Sequence, residues 1–153
     1  MVTNWMLKSL IGLVFLLSLP TAFAQTPTVS DELIQQVLEP LKTGMETQNI
    51  QQILSVFDDK ELDGYSDLPG QLRAFYQQFD EVNFRYQLLQ VAADKDRASA
   101  TTDVQMDALS YSVTAIPVRR SVQMRLKLKH GPKGWKVTAF TPRDFFAVDY
   151  SSH

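Results

Sequence analysis

The stretch from Arg119 to Phe146 constrains this chain most, because its side chains alternate with the period of a β-hairpin. Val122, Met124, Leu126 and Leu128 interleave with Gln123, Arg125, Lys127 and Lys129, which gives one dry face and one wet face. His130-Gly131-Pro132-Lys133 makes the turn. Trp135, Val137 and Ala139 then continue the dry side, with Lys136 and Thr138 on the other. On this phase Phe140 stands among polar neighbours on the wet face, an aromatic suited to the centre of a dimer contact. A sheet with one apolar face needs a cover, and the rest of the chain must supply it.

The cover is written upstream. Leu33, Ile34, Val37, Leu38, Leu41 and Met45 recur at helical spacing behind Ser30, read as an N-cap with Asp31 and Glu32 in the first turn. Pro40 predicts a kink in this helix, since the stripe continues in phase to Met45. Asn49 caps a second helix that buries Ile50, Ile53, Leu54 and Phe57 and ends at Asp58-Asp59. Ser66 or Asp67 opens a third, with Pro69 in its first turn and Leu72, Phe75, Tyr76 and Phe79 on one side.

The period then changes to two. Val82, Phe84, Tyr86 and Leu88 alternate with polar residues until the phase slips at Leu88-Leu89, which predicts a β-bulge. After the polar turn Asp94–Arg97, a further strand puts Ala98, Ala100, Thr102, Val104 and Met106 on the dry face and Thr101, Asp103, Gln105 and Asp107 on the wet one. Antiparallel pairing across the connection Ser110–Val118 predicts Val104 beside Met124 and Asp103 beside Arg125. Pro142 ends the last strand, and Phe145 and Phe146 return to the core. The predicted class is α+β: three N-terminal helices packed on a strongly bent, mainly antiparallel sheet.

The first 24 residues read as a cleaved signal peptide. Lys8 precedes the apolar run Leu10–Leu19, and Ala22-Phe23-Ala24 follows as a small-x-small cleavage site. That run is short of the roughly 20 apolar residues a membrane-spanning helix takes. Residues 25–29 read as a linker, 30–148 as one domain and 149–153 as a disordered tail. From Gln25 onward the chain carries 14 basic and 17 acidic side chains, evenly mixed, which speaks against nucleic acid or anionic membrane as partner. With no cysteine, there is no disulfide framework, thiol chemistry or lipid attachment at a cysteine after the signal. The expected location is the periplasm or outside the cell.

Helices first and then a curved sheet, with Leu72-Arg73-Ala74-Phe75-Tyr76 ahead of the first long strand and Gly134-Trp135-Lys136-Val137 in the closing one, resembles the nuclear transport factor two-like superfamily, the cone-shaped fold also called cystatin-like. The resemblance spans Val29 to Phe146. It implies an apolar cavity between helices and sheet, used as an enzyme site by ketosteroid isomerases and scytalone dehydratase and for binding or dimerisation by many others.

Enzymes of that group place an Asp, often with His or Tyr, inside the cavity. Here His130 falls in a turn and His153 ends the chain, so neither acid–base chemistry nor a histidine metal site is indicated, and no cofactor motif is present. Asp58 and Asp59 read as acceptors for the loop after the second helix, or as partners for Arg73 or Arg143. The cavity candidates are Tyr65, Phe75, Phe79, Tyr86, Met106, Met124 and Trp135, which suit a small apolar ligand with a tyrosine hydroxyl as anchor. Asp103, Gln105, Gln123 and Arg125, with Phe140, are the candidates for a partner surface that pairs two copies. The function expected is a non-catalytic binding or dimerising module. The alternative is a lyase or isomerase acting on a small apolar carbonyl compound.

Overall fold

The computed structural model describes residues 26–111 and 117–149. The expected signal peptide, and the expected tail beyond Asp149, lie outside the described residues.

Thr28, rather than Ser30, opens the first helix. Its Oγ1 accepts from the Asp31 N–H at 3.2 Å, and the Asp31 carboxylate accepts from the Thr28 N–H at 3.0 Å. This reciprocal cap needs an acid or amide three residues on; Thr28 has Asp31 there, whereas Ser30 has Leu33. Helix α1 (Val29–Leu33) continues through a π-helical turn, Ile34–Leu38, into α2 (Glu39–Glu46). Pro40 lies in the first turn of α2, directly after the wider turn in which the Glu39 N–H bonds to the Ile34 carbonyl. The helix thus changes its bonding pattern at the proline instead of stopping.

Helix α3 (Ile50–Ser55) is capped by Asn49, whose side chain accepts from the Gln52 N–H at 3.1 Å. Asp58 ends this region by accepting from the Lys60 and Glu61 N–H groups at 2.9 and 2.8 Å, so its acid organises the loop that follows. Helix α4 (Leu68–Gln78) buries Leu72, Phe75 and Tyr76.

Strands β1 (Phe79–Asp94), β2 (Arg97–Ser110), β3 (Val118–Gly131) and β4 (Gly134–Thr141) form one antiparallel sheet in that order. Two bulges bend it. In β1, Leu89 is the extra residue between the pairs Leu88↔Thr102 and Gln90↔Thr101. Leu88 and Val91 therefore stay partly buried against the core, and Leu89 is expelled to 45 % exposure. In β4 the pairs Lys127↔Ala139 and Leu128↔Val137 leave Thr138 as the extra residue, and its Oγ1 donates to the Lys127 carbonyl at 3.2 Å.

The second bulge overturns the exposed-aromatic reading of Phe140. Phase slips by one after Val137, so Phe140 pairs with Leu126 and faces inward, 3 % exposed, with its ring 5.5 Å from Phe57 and 5.6 Å from Phe146. The register of β2 and β3 also differs from expectation by two residues: Val104 pairs with Val122, Asp103 with Gln123 and Thr101 with Arg125. A slip of two keeps every side chain on its own face, so the alternation that predicts the faces is blind to it.

The core lies between the helices and the inner sheet face. Leu72, Phe75, Phe84, Met106 and Phe145 have no exposed surface, and Phe146 has 1 %. Arg120 is the charged side chain among the buried described residues; it donates to the carbonyls of Phe145 and Val148 and stands 5.3 Å over the Phe75 ring. The π-helical turn meets the start of β4, where the Gln36 side chain accepts from the Trp135 N–H at 2.8 Å. Gly134 makes this approach possible: its φ is +87°, and a Cβ there would stand 2.3 Å from Gln36 Oε1. At the sheet margins, Glu46 accepts from the Phe84 N–H at 3.0 Å and Gln48 donates to the Asp80 carbonyl. On the far side Val137 pairs with the Val56–Asp58 segment through two backbone bonds of 2.9 Å.

Candidate functional site

Among the seven expected cavity residues, five are core. Phe75, Phe79, Met106, Met124 and Trp135 are each 3 % exposed or less and belong to one hydrophobic cluster, with Phe75 and Phe79 in ring contact at 4.7 Å. Tyr65 and Tyr86 pack against that cluster from its rim. The Tyr86 hydroxyl bonds to Glu39 on α2, and burial first, then this carboxylate, pushes its pKa upward. Trp135 directs its indole N–H to Glu32 at 2.9 Å. Polar groups of the interior meet local partners: the Tyr76 hydroxyl donates to the Met45 carbonyl at 2.9 Å, and Thr102 Oγ1 donates to the Gln87 carbonyl at 3.0 Å.

The partner-surface candidates are brought together, with Phe140 excepted. Asp103, Gln105 and Gln123 line one trough of about 510 Å³ on the outer sheet face, along with Arg85, Gln87 and Ser121. Strand register explains the grouping: Arg85, Gln105 and Ser121 form one cross-strand row, and Gln87, Asp103 and Gln123 the next. Arg125 is exposed one row further along, beside Thr101.

At the head of the trough, Asp107 accepts from Arg119 Nε at 2.6 Å and from Arg85 Nη2 at 2.7 Å. The Arg119 bond first, and the Arg85 bond with it, hold the Asp107 carboxyl below the usual carboxylate range. With its amide oxygen turned toward them, Gln105 accepts from the same two guanidiniums at 3.0 and 3.3 Å. The arrangement fixes long polar side chains in place, which suits recognition of another polar surface. Arg85, Gln87, Ser121 and Arg119 are not among the candidates; alternation places Arg85 on the wet face, but only the register sets it against Asp107.

A second carboxylate ties the far end of the sheet to the loop after α3. Glu61 accepts from Arg97 at 2.7 Å and from Lys129, and these two bonds, Arg97 first, bring its pKa from 4.5 to about 2. The folded pKa lies below the unfolded one, so this support is present above about pH 4.5 and lost as pH falls toward 2. Glu61→Gln is expected to melt below the wild type at pH 7 and to converge with it by about pH 2. A melting difference that stays constant over that range would exclude the assignment.

No protein-family model and no curated protein matches the sequence. Solved structures do. A ketosteroid isomerase-like protein from Erwinia carotovora atroseptica aligns with a TM-score of 0.55 and 13 % identity over 71 % of this chain and 90 % of its own. A protein with a cystatin-like fold from Nostoc punctiforme aligns at 0.54 and 13 %, over 74 % and 90 %. The fold is the cystatin-like one. A hexachlorocyclohexane dehydrochlorinase from Novosphingobium barchaimii aligns at 0.60 and 11 %, over 72 % of this chain and 83 % of its own. At such identities the likeness speaks for the fold alone, and chemistry has to be argued from the residues in place.

Proposed function

We propose that this protein is an exported, non-catalytic binding module that works through the outer face of its sheet, with a second copy of the chain as its first partner. The observation that carries this reading is the contrast between the two faces. Inside, aromatic and aliphatic side chains pack on one another and the polar groups bond locally. Outside, Asp103, Gln105 and Gln123 line an open trough of polar side chains of both signs. A two-fold contact requires such a mixed, self-complementary patch.

The isomerase-like and dehydrochlorinase neighbours show that the fold can carry catalysis. A carboxyl that acts as acid or base near neutral pH needs its pKa raised, as an apolar site can do. The carboxyl shifts resolved here, at Asp31, Glu46, Glu61 and Asp107, all run downward.

Native mass spectrometry and light scattering of the protein from its own cell envelope test the reading. The expected result is a dimer beginning at Gln25, and a monomer of unchanged melting temperature for Ser121→Trp, which fills the trough. A wild-type monomer at tens of micromolar, or turnover abolished by an interior substitution, would overturn it.

A further inference from the structure

We infer that Arg125 and Lys127 form a docking strip for an extended acidic segment of a partner protein. The inference rests on the outer face being the working surface and names a partner class for its second half.

The other cations of that face are committed within the chain. Arg85 and Arg119 share Asp107, Arg97 and Lys129 share Glu61, and Lys136 donates to the Ser55 carbonyl. Among the described residues, Arg125 and Lys127 have no carboxylate within ion-pair distance. They stand two residues apart on the same face, like charges side by side.

Their cross-strand neighbours are short. Arg125 lies between Thr101 and Thr141, and Lys127 between Ser99 and Ala139. The next strand adds Ala92 opposite Ser99. Two long cations therefore rise beside small side chains, and a cleft of about 390 Å³ opens beside Lys127 over Ala92, Ser99 and Thr138, with Asp94 and Arg97 at its other end. The bulge at Thr138 keeps Lys127 and Ala139 in register while β4 changes phase.

The spacing selects the ligand. Side chains at i and i+2 of a strand recur about every 6.8 Å. An extended peptide with acids at alternate positions has the same repeat, so two of its carboxylates reach Arg125 and Lys127 together. Hydroxyls of Ser99, Thr101 and Thr141 are placed beside the cations as further donors. The unpaired excess is two residues on one strand, a narrow strip that fits an extended chain better than the broad basic cluster a bilayer surface takes.

The test uses a fluorescein-labelled peptide of alternating Glu and Thr, its Gln-Thr counterpart, and phosphatidylserine vesicles, measured by anisotropy and co-sedimentation at low and physiological salt. The Glu peptide is expected to bind, the Gln peptide to bind less, and salt to weaken the difference. The double variant Arg125→Glu/Lys127→Glu is expected to lose about tenfold in affinity, the product of two exposed ion pairs each worth a few-fold. Equal binding of both peptides, an unaffected double variant, or a preference for the vesicles would overturn the strip. Mass measured on the same samples separates this outcome from the dimer: the strip stands or falls on peptide binding whether the wild type is one chain or two.

Discussion

Phe145→Ala is expected to lower stability by about 3–5 kcal/mol, the largest effect of any substitution considered. For a domain of this size that corresponds to roughly 10–20 °C in melting temperature. Phe145 belongs to no strand, yet it has no exposed surface. Its ring makes edge-on contacts with Phe84 at 6.3 Å and Phe146 at 5.1 Å, joining β1 to the end of the chain. Truncation removes the ring from both neighbours at once, and the surrounding strands are too well paired to close the gap. Urea unfolding of the variant measures the cost directly. A loss under 1 kcal/mol would mean that the C-terminal segment is not part of the core.

Arg120→Met is expected to cost about 2–4 kcal/mol, although methionine keeps much of the volume. Arginine at this position is 3 % exposed and holds the C-terminal segment by donating to the carbonyls of Phe145 and Val148. Methionine has no donor, so the carbonyls of Phe145 and Val148 lose their bonds to Arg120, and the contact with the Phe75 ring is lost as well. The two substitutions act on one unit, because Arg120 bonds to the backbone of the residue whose ring Phe145→Ala deletes. The double variant should therefore lose less than the sum of the single losses. Strict additivity by chemical denaturation would show the two contacts to be independent.

The parts of the fold that sequence alone reveals are those in which one local pattern has one solution. The phase slip at Leu88-Leu89 has only a bulge as its economical answer, and a bulge stands there. The aromatic side of α4, the cap at Asn49 and the inward return of Phe145 and Phe146 follow in the same way. Phe140 failed for a matching reason. The run Trp135, Val137, Ala139 alternates cleanly, and alanine sits as well inside as outside, so it hides the slip at Thr138 that turns Phe140 inward. The strand register was out of reach for another reason: it depends on where the β2–β3 connection turns, and both registers put the same residues on the same face. The polar character of the outer face was legible, as was the placing of Asp103, Gln105 and Gln123 on it. The pairing of Arg85 and Arg119 through Asp107 was not, since three strands contribute to it. Of the seven residues expected to surround a cavity, five are packed into the core cluster, and Tyr65 and Tyr86 lie partly buried at its rim.

The margins of the sheet bear on what this protein avoids. Glu46 occupies the outward N–H of Phe84, Gln48 the carbonyl of Asp80, and the Val56–Asp58 segment the free side of Val137. A strand arriving at any of these points must first displace a bond already made inside the chain. Growth by adding strands edge to edge, the route by which sheets polymerise into fibrils, is therefore blocked there at both ends of the strand order. Covered at these points, the sheet meets solvent through its outer face instead, where the polar trough lies.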